Sequence, residues 1–404
     1  MDFYKALSTV KSFAEELEKE WVSLDRAPGR VCGSTIRASL SVPSSPLSRW
    51  DGFAVGSIDT ATASVSRPVA LEIVQSEPIT AGSYTEPEVA PGRCAKIMTG
   101  GLIPPGCDAV VRYEDVTERE GRIFVRSPVS AGDGIIKTGQ LIRKGQIITR
   151  KGTVISPYNL CILAETGAAT LPAFRKPRIG ILAIGDELLL PGERLDGPKR
   201  YAGGQYFLAG LAEKVFGAFV LNLGIVRDSP EEIEKTVKSV KCIDLLVTTG
   251  GTGKGTKDHI DALWKTLNVK ELFSGLNIKP GKSSRCGIFN DTLWLALPGG
   301  AMGGVVIFTE VLNEIAKIWY DRREVLTPRI RVEVSLTPDG NGFEPGSNYL
   351  SFLGFVERKD GEFMFRLQDD NIYRSVNAYI IVPPGENIVP GYTTEATLLM
   401  SGWD

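Results

Sequence analysis

The stretch RIGILAIGDE, residues 178–187, joins an unbroken aliphatic run to a Gly-Asp-Glu ending. The run has the length of a strand and shows no alternation of apolar and polar residues, which is typical of a strand buried on both faces of a parallel sheet. Parallel strands of this kind deliver loops to the sheet edge where ligands bind. We therefore take this stretch as the first strand of an α/β domain.

The segments that follow alternate between helix and strand patterns. A predicted helix from about Gln205 to Phe216 precedes the strand FVLNLGIV at 219–226. In the start signal of the next helix, Ser229 is the N-cap, a proline follows, and Glu232 closes a capping box. Strands alternating with helices indicate a doubly wound parallel sheet. Two more strands lead into glycine loops, IDLLVTT at 243–249 and LWLALPGG at 293–300.

The rest of the chain carries mostly β patterns. A chain of 404 residues is too long for one hydrophobic core and should divide into several domains. Short strands separated by Pro and Gly fill residues 46–133, and the pattern returns after residue 327, where Asp360-Gly361 predicts a hairpin turn. The N-terminal segment MDFYKALSTVKSFAEELEKEW, residues 1–21, predicts an amphipathic helix.

Composition and charge narrow the class of protein. Apolar residues at 43% and charged residues at 23% are those of an ordinary globular protein, and no apolar run is long enough to cross a bilayer. The net charge of -2 gives no electrostatic basis for nucleic-acid binding. Six scattered cysteines without a CxxC pair predict buried thiols in a reducing compartment. Together with the lack of a signal-peptide pattern, they predict a cytoplasmic protein.

The loop TTGGTGKGTKDH, residues 248–259, is a candidate anion-binding site. Gly255 follows Lys254 where a phosphate-binding P-loop requires Ser or Thr, and the glycine spacing does not match the dinucleotide fingerprint. A glycine loop that opens a helix still presents backbone N–H groups to an anion. We expect the amides from Gly250 to Gly255 to form such a concavity, with Lys254 attracting the same ligand. The single histidine, His259, is taken as a helix-start residue, which excludes most His-based catalysis.

Three loops should share one edge of the predicted sheet, because the carboxyl ends of parallel strands lie together. A fourth segment, IKPGKSS at 278–284, places Lys279 and Lys282 around a Pro-Gly bend, where two ammonium groups can reach phosphate oxygens. Adjacent acids in the first loop suit Mg²⁺, which prefers oxygen ligands. The three loops are Gly185-Asp186-Glu187, Gly250 to Asp258, and Pro298-Gly299-Gly300.

Seven separated stretches together resemble one family, the molybdenum-insertion proteins of molybdenum cofactor synthesis, which are the MoeA-like proteins related to the gephyrin E domain. They occur in the family's order and spacing from about residue 1 to residue 325, so the match is far more specific than any single motif. The stretches are SVPSSPLSRWDGFAV, KIMTGGLIPPGCDAVVRYED, KPRIGILAIGDELLLPGE, LGIVRDSPEEI, LLVTTGGTGKGTKD, LNIKPGKSSRCGIF and LALPGG.

The resemblance implies an elongated homodimer in which each chain has four domains. A MogA-like α/β domain would recruit the N-terminal helix, an elongated β region and an inserted β domain would precede it, and a β-barrel-like domain would close the chain. The implied boundaries are 1–20 plus 174–326 for the α/β domain, 21–45 plus 134–173 for the elongated linker and dimerisation region, 46–133 for the inserted β domain and 327–404 for the C-terminal domain.

The resemblance also implies a reaction. It is the insertion of molybdate, or of tungstate in some organisms, into adenylylated molybdopterin, which releases AMP with help from Mg²⁺ or another divalent cation. A molybdopterin adenylyltransferase is an implied partner. Pterin pyrophosphate, AMP and molybdate are all anions, which amide-rich loops and two lysines can hold without a generally basic protein.

Matching positions in this sequence receive their roles from the same resemblance. Asp51, Glu187 and Asp258 would be catalytic, and Asp51 would reach the site across the dimer. Asp186 would join Glu187 and Asp258 around the metal ion. The residues assigned to substrate binding are Thr99, Gly100, Gly250, Gly251, Gly253, Lys254, Gly255, Lys279, Lys282, Pro298, Gly299 and Gly300.

Several positions depart from the family pattern. Gly203-Gly204-Gln205 replaces the usual Asp-Ser/Thr-Asn at a helix start, LPGGAM replaces Leu-Pro-Gly-Asn-Pro, and Leu141 stands where an acid is usual. Two alternatives to the family reaction therefore stay open. One is a non-catalytic scaffold paralogue that binds pterin or nucleotide, and the other is a nucleotide pyrophosphatase or molybdopterin adenylyltransferase.

Overall fold

The computed structural model describes residues 1–83, 87–252, 259–300, 303–335, 347–359, 362–367, 376–389 and 391–399. Within them the α-helices are α1 (Phe3–Lys11), α2 (Pro157–Glu165), α3 (Gly203–Phe216), α4 (Pro230–Ser239), α5 (His259–Thr266) and α6 (Val305–Trp319). The first strands are β1 (Lys19–Ser23), β2 (Ile36–Arg37), β3 (Leu47–Ser48), β4 (Gly52–Val55), β5 (Val69–Ile73), β6 (Arg93–Ile97), β7 (Ala109–Arg112), β8 (Val116–Arg119), β9 (Arg122–Val125), β10 (Ile135–Ile136), β11 (Ile147–Thr149) and β12 (Thr170–Phe174). The strands after residue 174 are β13 (Arg178–Ile184), β14 (Leu188–Leu189), β15 (Arg200–Tyr201), β16 (Phe219–Val226), β17 (Leu245–Thr249), β18 (Lys270–Ser274), β19 (Ile278–Lys279), β20 (Arg285–Phe289), β21 (Thr292–Leu297), β22 (Arg329–Ser335), β23 (Tyr349–Lys359), β24 (Glu362–Leu367), β25 (Ala378–Val382) and β26 (Thr393–Leu398).

A six-stranded sheet in the order β16-β13-β17-β21-β20-β18 lies at the centre of the α/β domain. The first four strands are parallel, and β20 and β18 continue the sheet in antiparallel pairing. One hydrophobic cluster packs α1, α3 and α6 against one face, and a second packs α4 and α5 against the other. The predicted doubly wound sheet is therefore confirmed, and its parallel strands end at one common edge.

Helix α4 begins as predicted except for its capping box. The Ser229 side chain accepts a hydrogen bond from the Glu232 N–H at 3.4 Å, and Pro230 occupies the first turn. The Glu232 carboxylate does not return a bond to Ser229, because it accepts from the N–H of Arg227 at 3.2 Å. The Ser229 N–H donates to the Arg227 carbonyl instead. The helix start is therefore satisfied through the preceding loop and not by a reciprocal box.

The N-terminal helix is shorter than predicted. Helix α1 buries the amphipathic face formed by Phe3, Ala6, Leu7 and Val10, but the helix ends at Lys11, so the prediction of a helix through residue 21 is wrong. Residues 19–23 form β1, which pairs antiparallel with β12. A strand partner that lies far away in the sequence supplies the backbone hydrogen bonds of this segment, so its helical periodicity does not decide its structure.

Two further results concern the burial of the cysteine thiols and the length and apolar character of the helices. The prediction of buried thiols is correct for Cys32, Cys94 and Cys286 but wrong for Cys161 and Cys242, which are exposed. All six thiols are free. Among the helices in the described ranges, none combines the length and the apolar character that crossing a bilayer requires.

The β-rich parts of the chain form separate sheets. Three small antiparallel pairs, β1-β12, β2-β11 and β3-β10, join strands between residues 19 and 48 to strands between residues 135 and 174. The inserted segment forms a six-stranded sheet in the order β7-β4-β6-β5-β9-β8. Strands β23, β24, β22, β26 and β25 form a closed ring because β23 also pairs with β25, so the predicted C-terminal barrel is confirmed. Strand β19 of the α/β domain adds to this barrel by pairing with β23.

An ion pair between a buried carboxylate and a partly exposed arginine joins the α/β domain to the C-terminal barrel. The Glu310 carboxylate on α6 accepts two hydrogen bonds from Arg329 Nη2 on β22, at 3.1 and 2.9 Å, and one from the Tyr379 hydroxyl on β25 at 2.6 Å. Glu310 is 2% exposed. Burial raises the pKa of Glu310, while the Arg329 charge and the Tyr379 hydroxyl oppose that rise. The barrel is thereby fixed to α6 by one carboxylate with partners on two strands.

Replacing Arg329 with Met should destabilise the protein, because it leaves the Glu310 carboxylate buried without its cation. We expect a loss of about 3 kcal/mol in the free energy of unfolding near neutral pH. Without Arg329 the folded-state pKa of Glu310 lies further above its unfolded value. A carboxyl raised in this way stabilises the fold below its unfolded pKa and loses that contribution as pH rises through the folded pKa. The loss should therefore be larger at about pH 7 than at about pH 5 in urea denaturation.

Arg331 on the same strand provides the matched control. It is exposed and donates a hydrogen bond to the Thr393 hydroxyl at 3.4 Å, so Arg331→Met should change stability little at either pH. If Arg329→Met lowered the free energy of unfolding equally at both pH values, Arg329 would not be compensating a charged Glu310 carboxylate.

Candidate functional site

Three loops meet where the parallel strands end. Strands β13, β17 and β21 lie side by side, so Gly185, Gly250 and Pro298 leave the sheet at the same edge. The Gly250 N–H donates to the Leu297 carbonyl at 3.0 Å, and the Gly185 N–H donates to the Val226 carbonyl at 3.1 Å. The structure thus brings together the loops that the sequence placed on one edge.

The glycines at this edge allow an unusually close approach of backbones. Gly250 has a φ of +98°, and a Cβ there would overlap the carbonyl oxygen of Ile184. Gly251 has a φ of +68°, and a Cβ there would lie 3.3 Å from Ile260 Cγ1. A Cβ at Gly299 would lie 3.3 Å from the Gly250 Cα. Glycine is therefore required at Gly250 by both conformation and space.

Arg200 ties two of the loops together. Its Nη2 donates to Glu187 Oε1 at 3.3 Å and to the Gly299 carbonyl at 3.1 Å. The Arg200 N–H also donates to the Glu187 carbonyl at 2.8 Å. The guanidinium stays about half exposed, with 55% of its side-chain surface accessible, so it has donors left for a ligand. No sequence signal marks Arg200 as a site residue, because the surrounding stretch PKRYAGG matches no strand or loop pattern.

Asp186 of the first loop lies close to Asp228, which precedes α4. The Asp186 Oδ1 accepts a hydrogen bond from the N–H of Asp228 at 3.3 Å, and a Cβ on Gly251 would lie 3.7 Å from Asp228 Oδ1. Asp228 therefore lies beside the first and second loops, and its place directly before the Ser229 N-cap gives no sequence signal for these contacts. Among the described residues, no three potential ligands come together to hold a metal ion.

The lysine loop joins the same edge through a hydroxyl pair. Thr252 Oγ1 and Ser283 Oγ are 3.2 Å apart, which links the glycine loop to the loop that carries Lys279 and Lys282. Both lysine side chains are exposed. Lys279 lies on β19, where it pairs with Leu350 of β23, so its position also depends on the C-terminal barrel.

Asp51 and Thr99 lie together in the inserted β sheet. The Asp51 Oδ1 accepts from the Thr99 N–H at 2.6 Å and from the Thr99 hydroxyl at 2.8 Å, and the backbone bond lowers the pKa of Asp51 below its usual range. Gly100 has a φ of +80° and donates its N–H to the Ser48 carbonyl at 2.8 Å. Among the described residues, no hydrogen bond or ion pair joins Asp51 or Thr99 to the loops of the α/β domain.

The start of α3 leaves polar groups without partners inside the described ranges. No described acceptor meets the N–H groups of Gly203, Gly204 and Gln205. The Gln205 side chain is 1% exposed, and neither its Oε1 nor its Nε2 has a described partner. Buried amide groups are normally hydrogen-bonded, and among the described residues this helix end, which follows β15 and Arg200, has donors without an acceptor. Four of the assigned residues lie outside the described residues, namely Gly253, Lys254, Gly255 and Asp258.

Known proteins resemble the chain along nearly its whole length. A family model for the MoeA N-terminal region, domains I and II, matches residues 1–167, and a model for a probable molybdopterin binding domain matches residues 180–317. A molybdopterin molybdenumtransferase of Bacillus subtilis is 33% identical over 407 residues, covering 98% of this chain and 92% of the relative. One from Nostoc sp. is 28% identical over 398 residues, covering 94% and 88%. The fold matches the crystal structure of a molybdopterin biosynthesis MoeA protein from Pyrococcus horikosii with a TM-score of 0.86 at 24% identity, covering 100% of both chains.

Gly250→Ala and Gly300→Ala form a matched pair that tests the close approach. A Cβ at Gly250 would meet the Ile184 carbonyl at a positive φ, whereas a Cβ at Gly300 would meet no atom of the described residues within 4 Å. Gly250→Ala should lower the stability by about 2 kcal/mol or more, and Gly300→Ala should change it by less than about 0.5 kcal/mol. Thermal unfolding measures both. Equal midpoints for the two variants would show that the loop adopts another conformation.

Proposed function

We infer that this chain, which belongs to the molybdopterin molybdenumtransferase family, inserts molybdate or tungstate into adenylylated molybdopterin and releases AMP. The chain is thus an enzyme of molybdenum cofactor biosynthesis. The observation that carries the proposed role of the site is the meeting of the loops after β13, β17 and β21. This edge gathers backbone amides and cations, while all the implied ligands are anions.

We propose that the lysines and Arg200 contact different parts of the ligand. Lys279 and Lys282 flank a Pro-Gly bend and would bind the phosphate oxygens of the pyrophosphate. Arg200 would add a planar donor between the first and third loops, where it already contacts Glu187 and Gly299. A chain with a net charge of -2 would therefore bind a polyanion through local donors and not through its overall charge.

The start of α3 supports an oxyanion at the same edge. The amides of Gly203 to Gln205 carry the positive end of the helix dipole, and the buried Gln205 carboxamide offers a further donor. We propose that these groups contact the molybdate or a phosphate oxygen. The glycines that replace the usual Asp-Ser/Thr-Asn would then bind through backbone N–H groups in place of side chains.

Glu187 is the proposed acid-base group of this edge. The Arg200 guanidinium holds its carboxylate beside the third loop, where it can accept a proton or a hydrogen bond from a reacting water. In the reaction the oxygen of that water would form a new bond to one phosphorus of the phosphoanhydride while the bridging P–O bond breaks, its proton would pass to Glu187, and AMP and the pterin phosphate would separate. The amides at the edge would stabilise the charge that develops on the oxygens.

Mg²⁺ remains a proposal that depends on Asp258. The described donor set does not fit a resident divalent cation, because Glu187 is paired with Arg200 and no three ligands converge. Mg²⁺ binds through one or two carboxylates together with substrate phosphates, and Asp186 with Asp258 would be such a pair.

The Asp51 group points to a site built from two copies of the chain. Asp51 is held by Thr99 in the inserted sheet and makes no described bond to the loops of its own chain. We propose a homodimer in which the partner subunit's Asp51 completes the site. Two exposed aromatic residues in the elongated region, Trp21 at 73% and Tyr158 at 69%, provide apolar surface for such an interface. A cytoplasmic location and a molybdopterin adenylyltransferase that supplies the substrate belong to the same proposal.

A non-catalytic pterin or nucleotide binder is the second candidate. The pairing of Glu187 with Arg200 favours it, because a carboxylate used in an ion pair is less available as a base. This candidate predicts binding of adenylylated molybdopterin without AMP release. AMP release that does not require molybdate would instead favour the alternative of a nucleotide pyrophosphatase.

AMP release from adenylylated molybdopterin in the presence of molybdate and Mg²⁺ tests the main proposal. We expect release that depends on molybdate and a KM raised about tenfold or more by Lys279→Ala combined with Lys282→Ala, because charge-assisted hydrogen bonds to phosphate are lost. The matched control combines Lys214→Ala with Lys235→Ala, which removes two exposed lysines from α3 and α4. Unchanged kinetics at low salt for the first pair would remove the lysine loop from the site.

Mixing two impaired variants, assayed at a substrate concentration well below the wild-type KM, tests the composite site. Asp51→Asn and the double variant Lys279→Ala, Lys282→Ala damage different groups, so a mixed dimer of the two keeps one intact site if each site uses both chains. Random assortment should then restore about a quarter of the wild-type sites. Mixing Lys279→Ala with Lys282→Ala is the control, since both lie in one loop and no intact site can form. Recovery in neither mixture would place Asp51 outside a shared site.

A further inference from the structure

Among the described residues, the Arg200 side chain makes its hydrogen bonds through a single nitrogen. Its Nη2 donates both to Glu187 Oε1 and to the Gly299 carbonyl, while its Nε and Nη1 have no acceptor there. A guanidinium presents two edges to a bidentate ligand, one formed by Nε with Nη2 and the other by Nη1 with Nη2. Both edges include Nη2. A ligand that binds Arg200 in a bidentate manner therefore competes with Glu187 or Gly299.

Glu187 is the easier of the two partners to displace. Its bond to Nη2 is the longer one, 3.3 Å against 3.1 Å for Gly299. The side chains of Arg200 and Glu187 are 55% and 46% exposed, so water solvates both charges and the ion pair contributes little to stability. Within the described ranges the Glu187 carboxylate has no second hydrogen-bond donor. A turn of this side chain towards solvent therefore breaks one weak contact.

A phosphate group is a stronger partner for this guanidinium than the Glu187 carboxylate in its present geometry. Two oxygens of one phosphate match a guanidinium edge and form charge-assisted bonds of about 2.7–2.9 Å. Arg200 lies between the first and third loops and is accessible to such a group. The phosphates of the adenylylated pterin are assigned to the same edge of the sheet. Binding of the ligand and release of Glu187 are therefore linked through one nitrogen.

We propose that Arg200 exchanges partners when the ligand binds, so that it releases Glu187 and takes a phosphate of the adenylylated pterin on an edge that contains Nη2. This inference rests on the proposed function, which assigns the acid-base role to Glu187. Arg200 is then a positioning residue that pairs with Glu187 until a phosphate arrives. The exchange accounts for a carboxylate that is paired with Arg200 and yet becomes available to a reacting water.

Inorganic pyrophosphate is the probe that tests the exchange without any reaction. In calorimetry, Arg200→Met should weaken pyrophosphate binding about tenfold, because a bidentate charge-assisted pair is lost. Arg200→Lys keeps the charge but has no bidentate edge, so its binding should stay about threefold weaker than that of the wild type. Wild-type affinity in Arg200→Lys would show that charge alone is needed and would overturn the exchange. Thermal unfolding checks the fold of each variant.

Arg194→Met is the matched control for the loss of an arginine. Arg194 lies in the same exposed stretch, residues 190–201, and its Nε pairs with Asp196 Oδ1 at 3.2 Å. It makes no described contact with Glu187 or Gly299. Its replacement should leave pyrophosphate affinity unchanged, and an effect equal to that of Arg200→Met would overturn the proposal, because a general loss of positive charge would then explain both results.

The kinetics of AMP release separate an exchange from a permanent ion pair. With exchange, Arg200→Met should raise KM about tenfold and change kcat by less than about twofold, because the lost bond to phosphate is made in both the ground state and the transition state. If Arg200 instead holds Glu187 throughout the reaction, Arg200→Met should lower kcat and leave KM unchanged. That second result would overturn the proposal.

A crystal structure with bound pyrophosphate would show the exchange directly. Arg200 Nη2 should lie about 3 Å from a phosphate oxygen, with Glu187 Oε1 beyond hydrogen-bond distance. An Arg200–Glu187 contact that persists beside bound pyrophosphate would overturn the exchange, whatever the outcome of the AMP assay. The exchange seen without any molybdate-dependent AMP release would support the partner change and refute the proposed reaction, so the two failures are distinguishable.

Discussion

The approach of the Gly250 backbone to the carbonyl oxygen of Ile184 is the constraint on which the candidate site depends. Strand β17 lies between β13 and β21, so the chain that leaves it must pass between two other strand ends. It can do so because Gly250 has no Cβ and adopts a φ of +98°. The same passage lets Gly299 approach the Gly250 Cα. Without this contact the ends of the two loops would lie further apart. The Gly250 N–H itself donates to the Leu297 carbonyl, so the expectation that this amide binds an anion is wrong.

Local electrostatics build on that backbone arrangement. A net charge of -2 gives the whole protein little attraction for polyanions, so recognition depends on where the few cations lie. Arg200 is placed by its bonds to Glu187 and Gly299, and its remaining donors face solvent. The loop that carries the lysines is placed by the Thr252–Ser283 contact. The contacts of Arg200 and the Thr252–Ser283 pair thus link the first, second and third loops and the lysine loop to one another.

The C-terminal barrel also takes part in forming this edge. Lys279 lies on β19, which is paired with β23 of the barrel. Glu310 on α6 holds the barrel through Arg329 and Tyr379, and α6 is the helix that follows the third loop. A shift of the barrel would therefore move the lysine loop relative to the glycine loops. The Glu310–Arg329 ion pair would therefore help to position the lysine loop, although it is not part of the proposed chemistry.

The sequence by itself determined the strands that are buried on both faces, the glycine loops after them and the family, because apolar runs and glycine requirements are local properties of the chain. It did not determine the partner of Glu187, the place of Asp228 or the end of α1. Only the tertiary structure decided these, since each depends on a residue far away in the sequence: Arg200 reaches Glu187 across the β14–β15 connection, and β12 supplies the strand partner of residues 19–23. The pairing of Asp51 with Thr99 has the same origin, as adjacent strands of the inserted sheet bring together residues that no local pattern connects.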